Sequence, residues 1–435
     1  MSNEQVAMSN ERKQSKLDEL IQQYCPDGVP NKTLGELGKF FGGLTGKSKD
    51  DFTDGNAKFI TYKNVYTNPA LQIDVEDRVK IADGEKQRTL QYGDVVFTGS
   101  SETPDECGIS SVVTVKTEEK LYLNSFCFFF RFDDLSIMLP DFAKHLFRSN
   151  ELRYQIGKTA SGVTRYNVSK KLMEKVSIPV PPLPVQSEIV RILDNFTELT
   201  AELTAELTAR KKQYEYYRDT LLKSSIEIKN VKLGSVCEVY DGTHQTPKYT
   251  NSGVPFVSVE NIDDLYGTTK YISAEDFSKY RIKPRIGDVF MTRITAGVIG
   301  RCTVVDRNDD LAYYVSLALL RPEQSILDSK YLKYYLESGW GRKELAKRIL
   351  WDATPTKINK DDIGKVYISL PPLEVQQRLV RVLDNFDSIC SDLNIGLPAE
   401  IEARKKQYEF YRDALLTYAA TDKTILTDRQ TDRRV

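Results

Sequence analysis

Apolar residues in the middle of the chain recur at helical steps. Ile189, Ile192, Phe196, Leu199, Leu203, Leu207, Tyr214, Tyr217 and Leu221 stand mostly three or four positions apart. That spacing draws one apolar stripe along a helix. The pair Pro181 and Pro182 just before it suits the start of a helix and not its interior. Residues 185–222 are therefore predicted to form one helix of roughly 55 Å, at about 1.5 Å per residue. So long a helix with a single stripe needs a partner along its length.

The sequence supplies that partner by repeating itself. "PPLPVQSEIVRILDNF" (Pro181 to Phe196) recurs as "PPLEVQQRLVRVLDNF" (Pro371 to Phe386), identical at eleven of sixteen positions. "ARKKQYEYYRDTLL" (Ala209 to Leu222) recurs as "ARKKQYEFYRDALL" (Ala403 to Leu416), identical at twelve of fourteen. Identity this dense indicates duplication. "GLP" (Gly396, Leu397, Pro398) interrupts the second copy, which predicts two helices with a kink between them. The two copies are expected to pack as an antiparallel coiled coil.

A weaker repeat runs through the rest of the chain. "KTLGELGKFFGGLTGKS" (Lys32 to Ser48) parallels "VKLGSVCEVYDGTHQTP" (Val231 to Pro247), and "KFITYKNV" (Lys58 to Val65) parallels "PFVSVENI" (Pro255 to Ile262). "QYGDVVFTGS" (Gln91 to Ser100) parallels "RIGDVFMTRI" (Arg285 to Ile294), and "SGVTRYNVSKK" (Ser161 to Lys171) parallels "WDATPTKINKD" (Trp351 to Asp361). These stretches are rich in β-branched and aromatic residues and are cut by Gly and Asp turns, so each half should hold a strand-rich α+β domain. The expected boundaries are a first domain at 1–180, a helical region at 181–228, a second domain at 229–370, a second helical region at 371–420 and a polar, disordered tail at 421–435.

Composition narrows the class without naming a function. The 435 residues carry 40% apolar side chains, and no apolar run approaches the length of a membrane span. The polar start (Met1 to Lys16) lacks the apolar core of a secretory signal. Six cysteines (Cys25, Cys107, Cys127, Cys237, Cys302, Cys390) show no CxxC spacing and read as reduced thiols of a cytoplasmic protein. Net charge is −1, so any contact with nucleic acid must rest on local patches.

No catalytic constellation is found. "GGLTGKS" (Gly42 to Ser48) resembles a phosphate-binding loop, but Phe41 stands where the first glycine is needed, and an acidic stretch follows. Pro104-Asp105 with Glu118 to Lys120 has the outline of a metal-dependent nuclease, with no counterpart in the other half. The paired prolines are followed by Leu183 and Leu373, not by the aromatic residue of an adenine-methyltransferase motif. Neither His145 nor His244 has a Cys or His at ligand or triad spacing.

Positive charge does gather locally with aromatic and small polar residues, the chemistry that meets phosphates and base edges. The candidates in the first half are Lys47, Lys49, Lys63, Asn64, Ser100, Thr164, Arg165 and Tyr166. In the second they are Thr243, His244, Gln245, Lys248, Asn261, Arg293, Thr354, Thr356 and Lys357. Tyr62, Arg148, Arg153 and Lys158 accompany the first set, and Arg342, Lys343, Lys347 and Arg348 the second.

The duplicated "VRILDNF" helix, the tandem Thr-Ala-Glu-Leu and the paired "ARKKQYE" blocks resemble the specificity subunit (HsdS) of type I restriction–modification systems, most closely type IC. The resemblance covers nearly the whole chain. It implies two target-recognition domains alternating with two helical regions in a pseudo-two-fold circular repeat, to which Lys16 to Ile21 adds a partial helix end. It implies that each domain reads one half of a bipartite double-stranded DNA site. It further implies that the helices dock two methyltransferase (HsdM) subunits, and that restriction motor-nuclease (HsdR) subunits join them. S-adenosylmethionine, ATP and Mg²⁺ would then serve those partners, with no cofactor or metal on this chain. Arg210, Lys211, Lys212, Tyr214 and Tyr217, with Arg404, Lys405, Lys406, Tyr408 and Tyr411, become the candidate partner contacts. The competing readings are a protein-binding adaptor on a coiled coil, and a stand-alone nuclease using Asp105, Glu118 and Lys120.

The tandem tetrad Thr200-Ala201-Glu202-Leu203 and Thr204-Ala205-Glu206-Leu207 then reads as a ruler. One tetrad adds roughly 6 Å and a net turn of about 40° to a helix. One base pair adds about 3.4 Å and about 34–36°. One tetrad is therefore expected to match one base pair of spacer.

Overall fold

A computed structural model of the chain describes residues 16–223, 229–391 and 396–421. The expected tail lies, from residue 422 onward, outside the described residues. The polar segment 1–15 lies outside them as well. The architecture is α+β, in two compact units: Met1–Glu202 with Glu402–Val435, and Leu203–Ile401. The division runs through the helical regions and not along their ends.

One strand organises the first unit. Cys127–Phe132 pairs antiparallel with Gly38–Gly42 on one side and with Val95–Thr98 on the other, and Ser110–Val112 closes the sheet. Successive side chains of a strand point to opposite faces. Phe128, Phe130 and Phe132 accordingly enter one core, and Cys127 and Phe129 another. Both faces are covered, so the run is apolar throughout instead of alternating.

The second unit builds the same sheet in the same order, Cys237–Asp241, Leu317–Pro322, Val289–Thr292 and Cys302–Val304. Leu317 and Leu319 face one core, Ala318 and Leu320 the other. Each unit adds a small sheet whose central strand (Ala57–Ile60 or Val254–Val257) has one parallel neighbour. The "GD" turns recur too. Gly93 and Gly287 both have φ of 87°, where a side chain is strained. Asp94 and Asp288 behind them each take a two-pronged bond from Arg131 and Arg321, at 2.6–2.7 and 2.7–2.8 Å.

The central helix spans Leu183–Leu221, starting two residues before its expected position with Pro184 in its first turn. A glutamine fixes it to its domain. Gln186 accepts from the Leu139 N–H at 2.8 Å and donates to the Pro181 and Ile137 carbonyls at 2.7 Å. Gln376 does the same with Asp328, Pro371 and Ile326 in the second unit. At the far end the stripe departs from expectation. Leu221 is 37% exposed, and Leu222 takes the core position.

The second helical region forms two helices, Leu373–Ser391 and Leu397–Thr421. In the second unit, Leu373–Ser391 runs antiparallel to the end of the central helix. Phe386 stacks on Tyr217 with centroids 5.6 Å apart, Asp387 acts electrostatically on Tyr214, and Arg210 and Lys211 act on Cys390. In the first unit, Leu397–Thr421 brings Leu416 into the core and stacks Tyr411 on Phe196 at 5.2 Å. The N-terminal helix Lys16–Tyr24 joins that same core through Leu17 and Ile21.

Candidate nucleic-acid interface

In the first unit a short hairpin projects from the sheet. Tyr166–Val168 pairs with Ala160–Ser161 on one side and with Ser100–Ser101 on the other. Its turn is possible because residue 162 is glycine: φ is 157°, and a Cβ would fall 2.0 Å from the Arg165 carbonyl oxygen. The turn exposes Thr164 and Arg165 and leaves Val163 90% exposed. Arg165 donates from Nε and Nη2 to the Ser100 hydroxyl at 3.1 and 2.9 Å, with its guanidinium 5.7 Å above the Phe126 ring. Part of the fork is thereby fixed, while Nη1 has no protein partner among the described residues.

Beside the hairpin lies a cleft of about 610 Å³, lined among others by Tyr62, Lys63, Tyr66, Ser100, Thr164 and Arg165. Tyr62 and Tyr66 stack at 6.2 Å, and the Tyr62 hydroxyl donates to the Ser100 carbonyl at 2.9 Å. Held aromatic faces, a partly fixed guanidinium and an exposed lysine can meet bases and phosphates there, beside two carboxylates of the same lining, Glu102 and Glu106, the second accepting from the Tyr66 hydroxyl at 2.8 Å. Four of the expected residues thus meet in one place, Lys63, Ser100, Thr164 and Arg165.

Others are occupied elsewhere. Lys47 is ion-paired to Glu85 at 2.6 Å with its side chain nearly buried, and this pairing is the main reason the Glu85 carboxyl is pulled down to about 2. That pairing also removes the lysine a phosphate-binding loop would need. The Asn64 amide is consumed in a loop clasp, donating to the Gln72 carbonyl at 2.8 Å and accepting from the Gln72 N–H and the Asn68 amide. Lys49 is exposed on the turn Lys49–Phe52, and Tyr166 is half-buried in its strand. Arg148 and Arg153 bond backbone carbonyls, Ser110, Val65 and Tyr66 for the one, Gly108, Asp105 and Cys107 for the other.

The second unit repeats the hairpin with other residues. Lys357 bridges both Ile294 and Leu350, and the Thr295 N–H donates to the Thr356 carbonyl at 3.0 Å. The tip exposes Trp351 and Thr354. A separate cleft of about 690 Å³ gathers Thr243, Gln245 and Lys248 with Lys279, Arg281 and Tyr280. His244 lies on the same loop, exposed, with Nε2 3.8 Å from Asp241.

Two expected contacts in this unit are structural. Arg293 is buried, ion-paired to Asp241 and bonded to the Ile358 carbonyl. Asn261 accepts from the Ser258 N–H at 3.1 Å and so caps its own turn. Lys347 and Arg348 share Glu344. Residues not singled out from sequence are Tyr66 and Phe126 in the first unit and Lys279, Tyr280 and Arg281 in the second. The run "KYRIKPR" (Lys279 to Arg285), basic and aromatic by turns, was a readable signal for the last three.

The family model for the type I restriction–modification DNA specificity domain matches twice, over residues 26–210 and 225–403. The chain belongs to this family. It is 34% identical to a putative type I restriction enzyme specificity subunit of Haemophilus influenzae, over 60% of this chain and 68% of that one. It is 33% identical to the EcoR124I/EcoR124II specificity subunit of Escherichia coli, over 58% of this chain and 65% of that one. A solved structure, described as showing complex assembly and conformational transition of the type I system, shares the fold at a TM-score of 0.62 and 23% identity, covering 90% of this chain and 98% of that one. As a specificity subunit the chain recognises DNA and is not the catalyst. Among the described residues no helix is long and apolar enough to cross a membrane, and no group of three His, Cys, Asp or Glu could hold a metal ion.

In this specificity subunit the expected partner contacts divide by helix face. Arg210, Lys211, Lys212, Lys405 and Lys406 are exposed, and Arg404 is half-buried with a bond to Gln407 at 3.1 Å. Three of the four tyrosines, Tyr214, Tyr408 and Tyr411, are half-buried and held inside the protein, whereas Tyr217 is 40% exposed. Tyr214 is half-buried in the second unit, where burial raises its hydroxyl pKa. The Tyr408 hydroxyl bonds His145 Nδ1 at 2.8 Å, and His145 Nε2 bonds Asp194 at 2.8 Å. Tyr217 and Tyr411 are engaged by Phe386 and Phe196. The reason is spacing: the tyrosines follow the apolar stripe, with Tyr217 at its edge, and the preceding basic run turns away from it. Of the spacer tetrads, only Thr200, Leu203 and Leu207 are even half-buried; Ala201, Glu202, Thr204, Ala205 and Glu206 are exposed.

Proposed function

We propose that each unit reads one half of a bipartite, asymmetric double-stranded DNA site, the first through its hairpin and the Tyr62–Arg165 cleft, the second through its hairpin and the Thr243–Lys248 loop. The observation that carries this is one frame bearing two different faces. The sheets, the "GD" turns and the projecting hairpins repeat, while the exposed residues on them do not. The helix between the domains sets the gap between half-sites through its tetrads. Its exposed basic face, with that of the second helical region, docks two methyltransferase subunits, and restriction subunits assemble on that core. Adenine methylation and restriction then belong to those partners, with the S-adenosylmethionine, ATP and Mg²⁺ they use.

The test is a mobility-shift assay with the methyltransferase subunits present, on DNA carrying the site found by mapping methylation in the host genome. A shift that depends on both half-sites is expected. A shift indifferent to sequence would overturn the reading.

A further inference from the structure

The cleft beside the first hairpin holds one group that phosphate binding does not call for. Glu106, half-buried, lines it together with Lys63 and Arg165. Three hydroxyls fix its carboxylate. Tyr66 donates to Oε1 at 2.8 Å, and Ser101 and Thr103 donate to Oε2 at 3.2 and 3.1 Å. These bonds, that from Tyr66 first, hold the carboxyl below its ordinary pKa, so at neutral pH it is ionised and can only accept. No lysine or arginine among the described residues pairs with it. The charge is aimed but not neutralised, and Oε1 keeps room for one more donor.

The second unit closes the same turn without a carboxylate. Val112 and Val304 correspond, because they pair with Val95 and Val289 in the two sheets. Six residues before them stand Glu106 (112 − 6) and Val298 (304 − 6), and Val298 is 48% exposed. The frame is shared and the chemistry offered on it is not. Closing the sheet does not require an acid there.

We infer that Glu106 is a specificity-determining residue of the first unit, one that accepts the exocyclic amino group of a cytosine in the major groove. The inference rests on the proposed reading of DNA by this cleft. Base-edge chemistry selects the base. Guanine presents two acceptors and thymine one, and a carboxylate repels both. Adenine has an amino group beside the acceptor N7, whereas cytosine offers a donor with no acceptor next to it. A phosphate in this place is repelled as well, so the carboxylate lowers affinity wherever the amino group is missing. Arg165 and Glu106 thus divide the cleft, the guanidinium taking acceptors and the carboxylate a donor.

The test is a quantitative mobility shift of the complex with its methyltransferase subunits, with each cytosine of the site, on either strand, replaced in turn by N4-methylcytosine. That base keeps its pairing with guanine and carries a methyl group where the major-groove N–H stood. Wild-type affinity is expected to fall about 10-fold at one cytosine, in the half-site where Arg165→Ala relaxes recognition. Glu106→Gln should be indifferent to the methyl group there and should accept adenine at that position alone, since an amide matches adenine. A role confined to bracing the loop would lower the urea midpoint of Glu106→Gln and leave its base preference intact. Should that variant not fold, Tyr66→Phe keeps the carboxylate but frees Oε1, and should shrink the methyl effect at the same cytosine to about threefold. A methyl effect at no cytosine, an unaltered base preference in Glu106→Gln, an undiminished methyl effect in Tyr66→Phe, or a change confined to the other half-site would each overturn the inference. If the wild-type complex shows no specific shift on unmodified DNA, the DNA reading itself fails.

Discussion

Deleting one tetrad, Thr204 to Leu207, isolates the spacing role of the central helix. The helix is unbroken from Leu183 to Leu221, so the deletion draws later residues back by roughly 6 Å and rotates them by a net of about 40°. One base pair of B-DNA corresponds to about 3.4 Å and about 34–36°. Rotation matches closely, and the remaining ~3 Å is within what a tilt of the helix can absorb. Packing survives as well. The removed side chains are exposed except half-buried Leu207, whose loss costs about 1 kcal/mol. Tyr214 now follows Leu207 by seven positions (214 − 207); after deletion it follows Leu203 by the same seven (210 − 203), so the stripe stays in phase. Long-read methylation mapping in cells carrying the variant should show a gap one base pair shorter between unaltered half-sites. Deleting only Thr204 to Glu206 turns the following segment by about 60° the other way and should abolish specific methylation. An unchanged gap in the four-residue deletion, or an altered half-site, would refute the ruler.

Three further outcomes are expected. Arg165→Ala should relax recognition at one position of one half-site, at about 1–3 kcal/mol, with Arg165→Lys failing similarly because the fork is lost, whereas Lys47→Ala, already neutralised by Glu85, should leave binding unchanged in quantitative mobility shifts. Asp413→Ala removes the acceptor of the Asn150 N–H at 3.0 Å, the first residue of the helix Asn150–Gly157, and should cost about 1 kcal/mol in urea unfolding. Burial holds the His145 pKa below its ordinary value despite Asp194, so the native state favours the neutral ring. Its stability contribution is therefore complete above the ordinary histidine range and is lost as pH falls from about 6.5 through the lowered value. Urea midpoints should drop over that window in the wild type, and less so in His145→Gln.

The helices and the duplicated frame were legible because their signals are periodic and local. A stripe at three- and four-residue steps and the "GD" turns can be read from neighbours alone. The binding residues were only half legible, and charge pairing over distance is the reason. Lys47 meets Glu85, Arg293 meets Asp241, and Arg148 clasps Val65 and Ser110, each across dozens of residues. A basic residue spent inside the fold looks in sequence like one held out to phosphate. What survives is enriched where the chain projects, at the Gly162 turn and the Thr243–Lys248 loop.

The tyrosine motif shows the same gap between pattern and role, and it explains why the chain carries the motif twice. In "YRD" the aspartate is a cap for a helix far away in sequence. Asp219 receives the Gly339 N–H at 3.0 Å, with its helix downstream, and Asp413 receives the Asn150 N–H at 3.0 Å, with its helix upstream. Leu222 and Leu416 follow each aspartate by three residues and enter the cores of the second and first units respectively. Each recognition domain is thus completed by a helix end that does not come from its own repeat: the second by the central helix, the first by the last helix of the chain. A linear duplication would leave the first domain uncapped and the last helix end without a host. Returning that end to the first domain resolves both, since every "YRD" then finds a helix start and every domain finds a lid. The price is dependence: the first domain's fold needs residues from the far end of the chain.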